Sequence, residues 1–385
     1  MRILITGGGI GGLAAALSLG SRGHEVTVLE QRPTFVENVS GIQIGPHSFH
    51  ALDRLGVGRA VLERSLPITE CHFMDGATGE PMGKVETRRR SHRFGRVHAT
   101  ALRLDLYEPL LNACWEMDTV WLRGQSRVVR HAQDADSVTV ELDSGERLTG
   151  DVLIGADGVH SAIRDELTGG SAPTLSGHTL YRTLVPIDLV PDGLREDVTT
   201  LWAGLGWHIV HFPVGDGGYV SLSAMRRDTS AEPMSAERVD AARVLAAFPD
   251  AAPVARGILA MGEHWHAWSL YDGEPATRWA DGRIALLGDA AHPTRWRAAQ
   301  SLRRTLEEAV ALGDLLDRSG RDVRGWLAAY DARRARHHAT ASVGAPLSPL
   351  RGGDEPRLYG GALTALMYSG PDVEARVAQE LRWAC

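Results

Sequence analysis

The chain has 385 residues, 43% hydrophobic and 23% charged, with a formal net charge of −7. That length holds two domains or one large discontinuous one, and the composition excludes a disordered chain. No Lys/Arg-rich block marks a nucleic-acid partner, and no apolar run nears the ~18 residues of a membrane span. The three cysteines, Cys71, Cys114 and Cys385, are far apart, which argues against a disulfide framework or a zinc site. With a strand expected almost at Met1, leaving no room for a signal peptide, the expectation is a cytoplasmic protein that binds no metal.

Residues 2–30 read RILITGGGIGGLAAALSLGSRGHEVTVLE. A short apolar run, Ile3 to Ile5, predicts a buried parallel strand. Gly7, Gly9 and Gly12 follow at once in a G-x-G-x-x-G pattern, then a helical stretch from Leu13 to Leu19 and a second strand, Glu25 to Leu29, ending in Glu30. This is a βαβ unit with the dinucleotide fingerprint in its required context. Gly7 permits the tight turn, Gly9 lets the backbone approach a pyrophosphate, and Gly12 lets helix and strand pack closely. The helix N-terminus favours phosphate, and Glu30 suits ribose hydroxyls. NAD and FAD are not separated by this pattern.

Residues 151–164, DVLIGADGVHSAIR, predict a strand from Asp151 to Ile154 running into a turn at Gly155–Gly158. Residues 283–292, RIALLGDAAH, repeat the arrangement with Gly288 and Asp289. Each places a carboxylate, Asp157 or Asp289, just past the carboxyl end of a strand, where doubly wound sheets bind ligands. Turn capping is the competing role for both. Between them, residues 176–272 lack the βα rhythm and read as strands: HTLYRTLVPI, TTLWAGLGWHIVHFPV and GYVSLSAMRRD, the last two separated by the turn GDGG. Period-two alternation places Trp207, Ile209 and His211 on one face and His208, Val210 and Phe212 on the other. The pattern does not say which face looks at a cavity. WLAAYDARRARHHA at 326–339 reads as a closing helix, and a last helical stretch is expected at 372–383.

With the fingerprint, the two aspartate motifs, GIQIGPHSFHALDRLG at 41–56 and LRLDLYEPLL at 102–111 in this order, the chain resembles the group A FAD-dependent monooxygenases, the para-hydroxybenzoate and salicylate hydroxylase-like superfamily. The resemblance implies an α/β fold: a discontinuous Rossmann-like FAD-binding domain of the GR2 type over 1–67, 99–175 and 273–340, an antiparallel-sheet substrate domain over 68–98 and 176–272, and C-terminal helices with a tail at 341–385. It implies FAD as cofactor, NADPH or NADH as a transient reductant, an aromatic or polycyclic small-molecule substrate, and O2 activated as a flavin hydroperoxide. A monomer or homodimer is expected. The cofactor-binding set so implied is Gly7, Gly9, Ile10, Gly11, Gly12, Glu30, Gln31, Arg32, Gln43, Arg103, Val128, Asp157, Asp289 and Ser301. In it, Arg103 and Asp289 take the ribose, ribityl and pyrophosphate portions, and Asp157 serves both cofactors. Ile42 and Gln43 pass near the isoalloxazine, and Val128 contacts the adenine. Tyr181, Arg182, Trp202, His211, Tyr219, Met225 and Trp296 are candidates for the substrate pocket. Arg182, His211 and Trp296 are the catalytic candidates, and Arg182 suits a carboxylate because a guanidinium binds one bidentately.

Residues 288–309, GDAAHPTRWRAAQSLRRTLEEA, depart from the family pattern. Trp296 stands where a proline is usual and Ser301 where a glycine is. Ser301 is a candidate N-cap for the next helix, while Trp296 is able to fill the cavity or displace the ring. These changes motivate an alternative, a flavoprotein-fold enzyme with non-redox, cyclase-type or otherwise altered chemistry. Arg303–Glu307 and Arg304–Glu308 read as i,i+4 pairs on a solvent-facing helix.

Overall fold

The computed structural model describes residues 1–87, 95–169, 172–228, 232–273, 276–293, 298–320 and 322–341. The opening strands form at Arg2–Thr6 and Glu25–Leu29, flanking the helix Ile10–Gly20. They belong to a six-stranded sheet in the order Ala280–Asp281, Ile284–Leu286, Val152–Gly155, Arg2–Thr6, Glu25–Leu29, Val120–Arg123. Pairing is parallel from Ile284–Leu286 onward, and the first two strands form a hairpin. Ile3, Ile5, Val26 and Val28 are fully buried, as expected where helices cover both sheet faces. The helix turns Ala14, Ala15 and Ala16 inward, small side chains that let it lie close to its neighbours.

A second sheet of eight strands runs in the order Glu237–Val239, Trp265–Asp272, Thr174–Pro186, Tyr219–Arg227, Trp207–Val214, Val198–Gly204, Glu70–Asp75, Pro81–Glu86. It is antiparallel except where Val198–Gly204 lies parallel to Glu70–Asp75. TTLWAGLGWHIVHFPV, read above as one strand, is a hairpin: it reverses at Leu205–Gly206, where Gly206 has φ +76°. The sequence reading also missed two short helices, Ala241–Ala247 and Pro253–Ala260. Their Val244, Ala255, Ile258 and Leu259, with Phe248, bury the outer face of this sheet in its own core.

The helices Ala298–Ser319 and Val323–Ala341 return to the first sheet, joined by a hydrogen bond from Trp326 Nε1 to Leu312 O (2.8 Å). The tail from 342 onward, with the expected helix at 372–383, lies outside the described residues. Among the described residues no helix is long and apolar enough to cross a membrane.

Candidate active site

The glycine loop is shaped by close backbone contacts. Gly7 adopts φ +97°, and a Cβ there would lie 2.3 Å from Ala156 O. At Gly12 a Cβ would lie 1.9 Å from Gly7 O, so only hydrogen fits. A Cβ on Gly9 would meet nothing within 4 Å, so the outer side of the loop is open space. Two groups hold the loop from opposite sides. Glu30 accepts the Gly8 N–H (2.7 Å) and the Arg32 N–H (2.9 Å), and the Tyr107 hydroxyl donates to Gly8 O (2.8 Å). Backbone bonds from Gln125 to Arg32 and from Ser126 to Glu30 bring the strand beginning at Val128 beside residues 30–32. Glu30, Gln31, Arg32 and Val128 therefore share one end of the sheet.

Beyond the loop, a cleft of about 500 Å³ separates the two sheets. Gly9, Ile10, Gly11, Ile42, Gln43, Arg103, Asp289 and Ser301 border it on the first-sheet side. Arg103 donates to Glu37 (2.9 Å), a cleft carboxylate that sequence reasoning missed because nothing in its loop marks it. Asp157 sits at the start of the helix Ala162–Thr168 and accepts the Ile163 N–H (3.4 Å) through Oδ2. Its Oδ1 is buried without a partner among the described residues, and burial pushes its carboxyl above the usual range.

The eight-stranded sheet supplies the roof, and strand register decides which side chains reach it. Arg182 pairs with Ser223 and that with Val210, while Leu180 pairs with Met225 and that with His208. These side chains, with Phe212 and Leu270, line the cleft. Tyr181, Trp202 and His211 occupy the alternate positions and face the other way. Tyr181 and Trp202 are buried in the outer core, and His211 stacks on Trp202 at 6.5 Å between ring centroids. They do not line the cavity. Tyr219 shares the roof's parity but is the first residue of its strand and is exposed. Of the pocket candidates, Arg182 and Met225 are in place. Trp296 lies outside the described residues, as do Arg295 and Arg297.

Arg182 is the site's unusual charge. Its guanidinium lies 5.9 Å over the Trp268 ring, and its Nε has no hydrogen-bond partner among the described residues. Burial, then the neighbouring charge of Arg103, pulls its pKa down to about 10. His208, by burial, is held down to about 4 and is neutral at physiological pH. His211 is likewise held to about 4, but on the far face.

Two expectations about the altered loop are corrected. Ser301 is no N-cap: the helix begins at Ala298, and Ser301 Oγ instead donates to Asp289 Oδ1 (2.7 Å). Glu308 does not face solvent. It is 1% exposed and accepts from His292 Nε2 (2.9 Å) and from the Gly288 N–H (2.8 Å). Arg303–Glu307 forms as expected (2.8 Å).

An open glycine loop at a helix N-terminus, the strand-end Asp289 and a deep arginine facing one cleft, with Asp157 buried at the neighbouring strand end, define a dinucleotide-dependent oxidoreductase with an antiparallel roof over its reaction space. The orphaned Asp157 Oδ1 and the unfilled space over Gly9 fit a bound dinucleotide that supplies donors and phosphate oxygens. An FAD-binding domain model matches residues 1–343. The chain is 36% identical over 342 residues to 3-hydroxybenzoate 6-hydroxylase 1 of Aquipseudomonas alcaligenes, covering 89% of this chain and 86% of that one. It is 38% identical over 336 residues to 3-hydroxybenzoate 6-hydroxylase of Klebsiella oxytoca, covering 87% and 84%. The fold is similar to Klebsiella pneumoniae HpxO complexed with FAD and uric acid, with TM-score 0.77 and 26% identity over 100% of this chain and 93% of that one. The chain belongs to the group A FAD-dependent monooxygenases. FAD is the cofactor, and NAD(P)H is the usual reductant of these hydroxylases.

Proposed function

We propose that the protein hydroxylates a small phenolic ring bearing a carboxylate, of the hydroxybenzoate kind, consuming one NAD(P)H and one O2 and releasing water with the hydroxylated product. The observation that carries this reading is Arg182, a deep cationic side chain with an unsatisfied Nε at a cleft whose roof is otherwise largely apolar. A substrate carboxylate supplies the missing acceptor and counter-charge. The names of the relatives, two 3-hydroxybenzoate 6-hydroxylases, support the same class.

Bound FAD supplies the redox chemistry with oxygen; the chain supplies position, dryness and charge. Gly7, Gly9, Ile10, Gly11 and Gly12 form the phosphate-binding loop, Glu30 to Arg32 and Val128 flank the adenosine, and Arg103, Asp157, Asp289 and Ser301 flank the remainder. Gln43 and Ile42 border the ring. Leu180, Val210, Phe212 and Met225 exclude water from the reacting ring. Neutral His208 accepts a hydrogen bond from the phenolic hydroxyl and orients it. We assign 1–67, 99–175 and 273–340 to the cofactor domain and 68–98 with 176–272 to the roof. The buried thiols Cys71 and Cys114, neither in a disulfide, agree with a cytoplasmic setting, and a monomer or homodimer is expected by light scattering.

The test is a panel of benzoates, phenols and larger aromatics assayed for substrate-stimulated NADH and NADPH oxidation, with the product identified by a one-oxygen mass gain. Stimulation and oxygen incorporation confined to carboxylated phenols support the reading. Conversion that proceeds without oxygen would instead support the non-redox alternative.

A further inference from the structure

The helix Ala298–Ser319 meets the Gly288–His292 turn with three polar residues on one face. Ser301, Thr305 and Glu308 are spaced i, i+4, i+7, which places them in one stripe. Each touches a different part of the turn. Ser301 Oγ holds the Asp289 carboxylate (2.7 Å). Thr305 lies under Gly288, so close that a Cβ there would be 3.1 Å from Thr305 Oγ1, and a Cβ on Gly11 would be 2.8 Å from Thr305 Cγ2. Glu308 takes the Gly288 N–H with one oxygen and His292 Nε2 with the other, gripping both ends of the turn. The turn closes on itself through Ala291 N and His292 N donating to Gly288 O.

We infer that Ser301, Thr305 and Glu308 form a positioning cradle that sets the Asp289 carboxylate, and the glycine loop beside it, for FAD. Resting on the reading that Asp289 holds FAD, the inference assigns a task to the serine that replaces the usual glycine. Glu308 fixes the backbone one residue before Asp289, through the Gly288 N–H, and Ser301 fixes one oxygen of the Asp289 carboxylate, so turn and side chain are both held. The cradle thereby lowers the ordering cost of binding. The buried Glu308–His292 pair is the rigid part; Ser301, at the cleft, is the adjustable part.

The experiment measures FAD affinity of the deflavinated full chain by fluorescence quenching, beside its melting temperature. The variants are Ser301→Ala, Asp289→Ala, the double variant, Glu308→Gln, and Leu312→Ala as a buried control on the same helix. Losing one hydrogen bond to a carboxylate predicts about 5- to 20-fold weaker FAD binding for Ser301→Ala, with an unchanged melting temperature. In the Asp289→Ala background, Ser301→Ala should cause no further loss, because it acts through that carboxylate. Glu308→Gln should weaken FAD binding beyond whatever Leu312→Ala causes at equal loss of thermal stability. Wild-type affinity in Ser301→Ala, or losses that simply add in the double variant, would overturn the cradle while leaving Asp289 an FAD ligand. Wild-type affinity in Asp289→Ala would remove that reading and the cradle with it.

Discussion

Replacing Arg182 by methionine separates substrate binding from stability, because the two should change in opposite directions. Burial, then the charge of Arg103, pulls the Arg182 pKa from the usual guanidinium range down to about 10. At ~1.4 kcal/mol for each tenfold in acidity, the charged head is held in the fold at a cost of about 3 kcal/mol, of which solvent at the cleft mouth screens a part. Methionine keeps much of the volume and the contact with Trp268 and removes the charge, so the substrate-free protein should melt at the same temperature or slightly higher. A carboxylated substrate, by contrast, loses a charge-assisted bidentate contact of about 2–3 kcal/mol, which raises its KM by about 30- to 150-fold. An uncharged phenol of the same size should lose less than about threefold. Arg182→Lys should fall between, since an ammonium lacks the planar fork. The assays are steady-state NAD(P)H oxidation with both substrates and thermal unfolding without substrate. An unchanged KM for the carboxylated substrate, or a melting temperature lower by several degrees, refutes the reasoning.

Gly12→Ala forces a methyl into Gly7 O at 1.9 Å and should abolish FAD retention, read as the flavin-to-protein absorbance ratio. Tyr107→Phe removes the hydroxyl that braces Gly8 O and should destabilise the fold by about 1 kcal/mol in denaturant unfolding, with a few-fold weaker FAD. His211→Leu, on the outer face, should leave kcat within about twofold, whereas His208→Leu, on the roof, should raise KM for phenols by about tenfold or more. Glu308→Gln tests the buried pair by its pH profile. Burial alone disfavours both charges, yet each partner's charge wins: Glu308 is held below the usual 4.5 and His292 above the usual 6.5. Glu308's contribution is present above 4.5 and lost as pH falls through its depressed value. His292's is present below 6.5 and lost as pH rises through its raised value. The wild-type advantage, about 3 kcal/mol, should therefore be largest between pH 4.5 and 6.5 and shrink on either side.

The cofactor end of this protein was largely legible in its residues. Glycines at positions 7, 9 and 12 and the strand-end acids Glu30, Asp157 and Asp289 carry local geometric demands, and those demands hold wherever the segment folds. Glu308 was not legible: it reads as the solvated partner of Arg304, while its real partners, Gly288 and His292, lie 20 and 16 residues back in the chain. Glu37 left no trace either, since its only mark is a partner, Arg103, that lies 66 residues away.

The substrate end was not legible to the same depth. Period-two alternation sorts Trp207, Ile209 and His211 from His208, Val210 and Phe212 by sequence alone, since side-chain direction in a strand is local. Which set meets the cofactor is decided by what covers each face. The two short helices at 241–260 bury Tyr181 and Trp202, which leaves Arg182 and His208 turned toward the cleft. Likewise, Ser301 reads locally as a helix cap, but the helix starts at Ala298 and its hydroxyl goes to Asp289, twelve residues back. Local backbone demands are written into single residues; the facing of a sheet and the partner of a side chain are set only when distant segments pack.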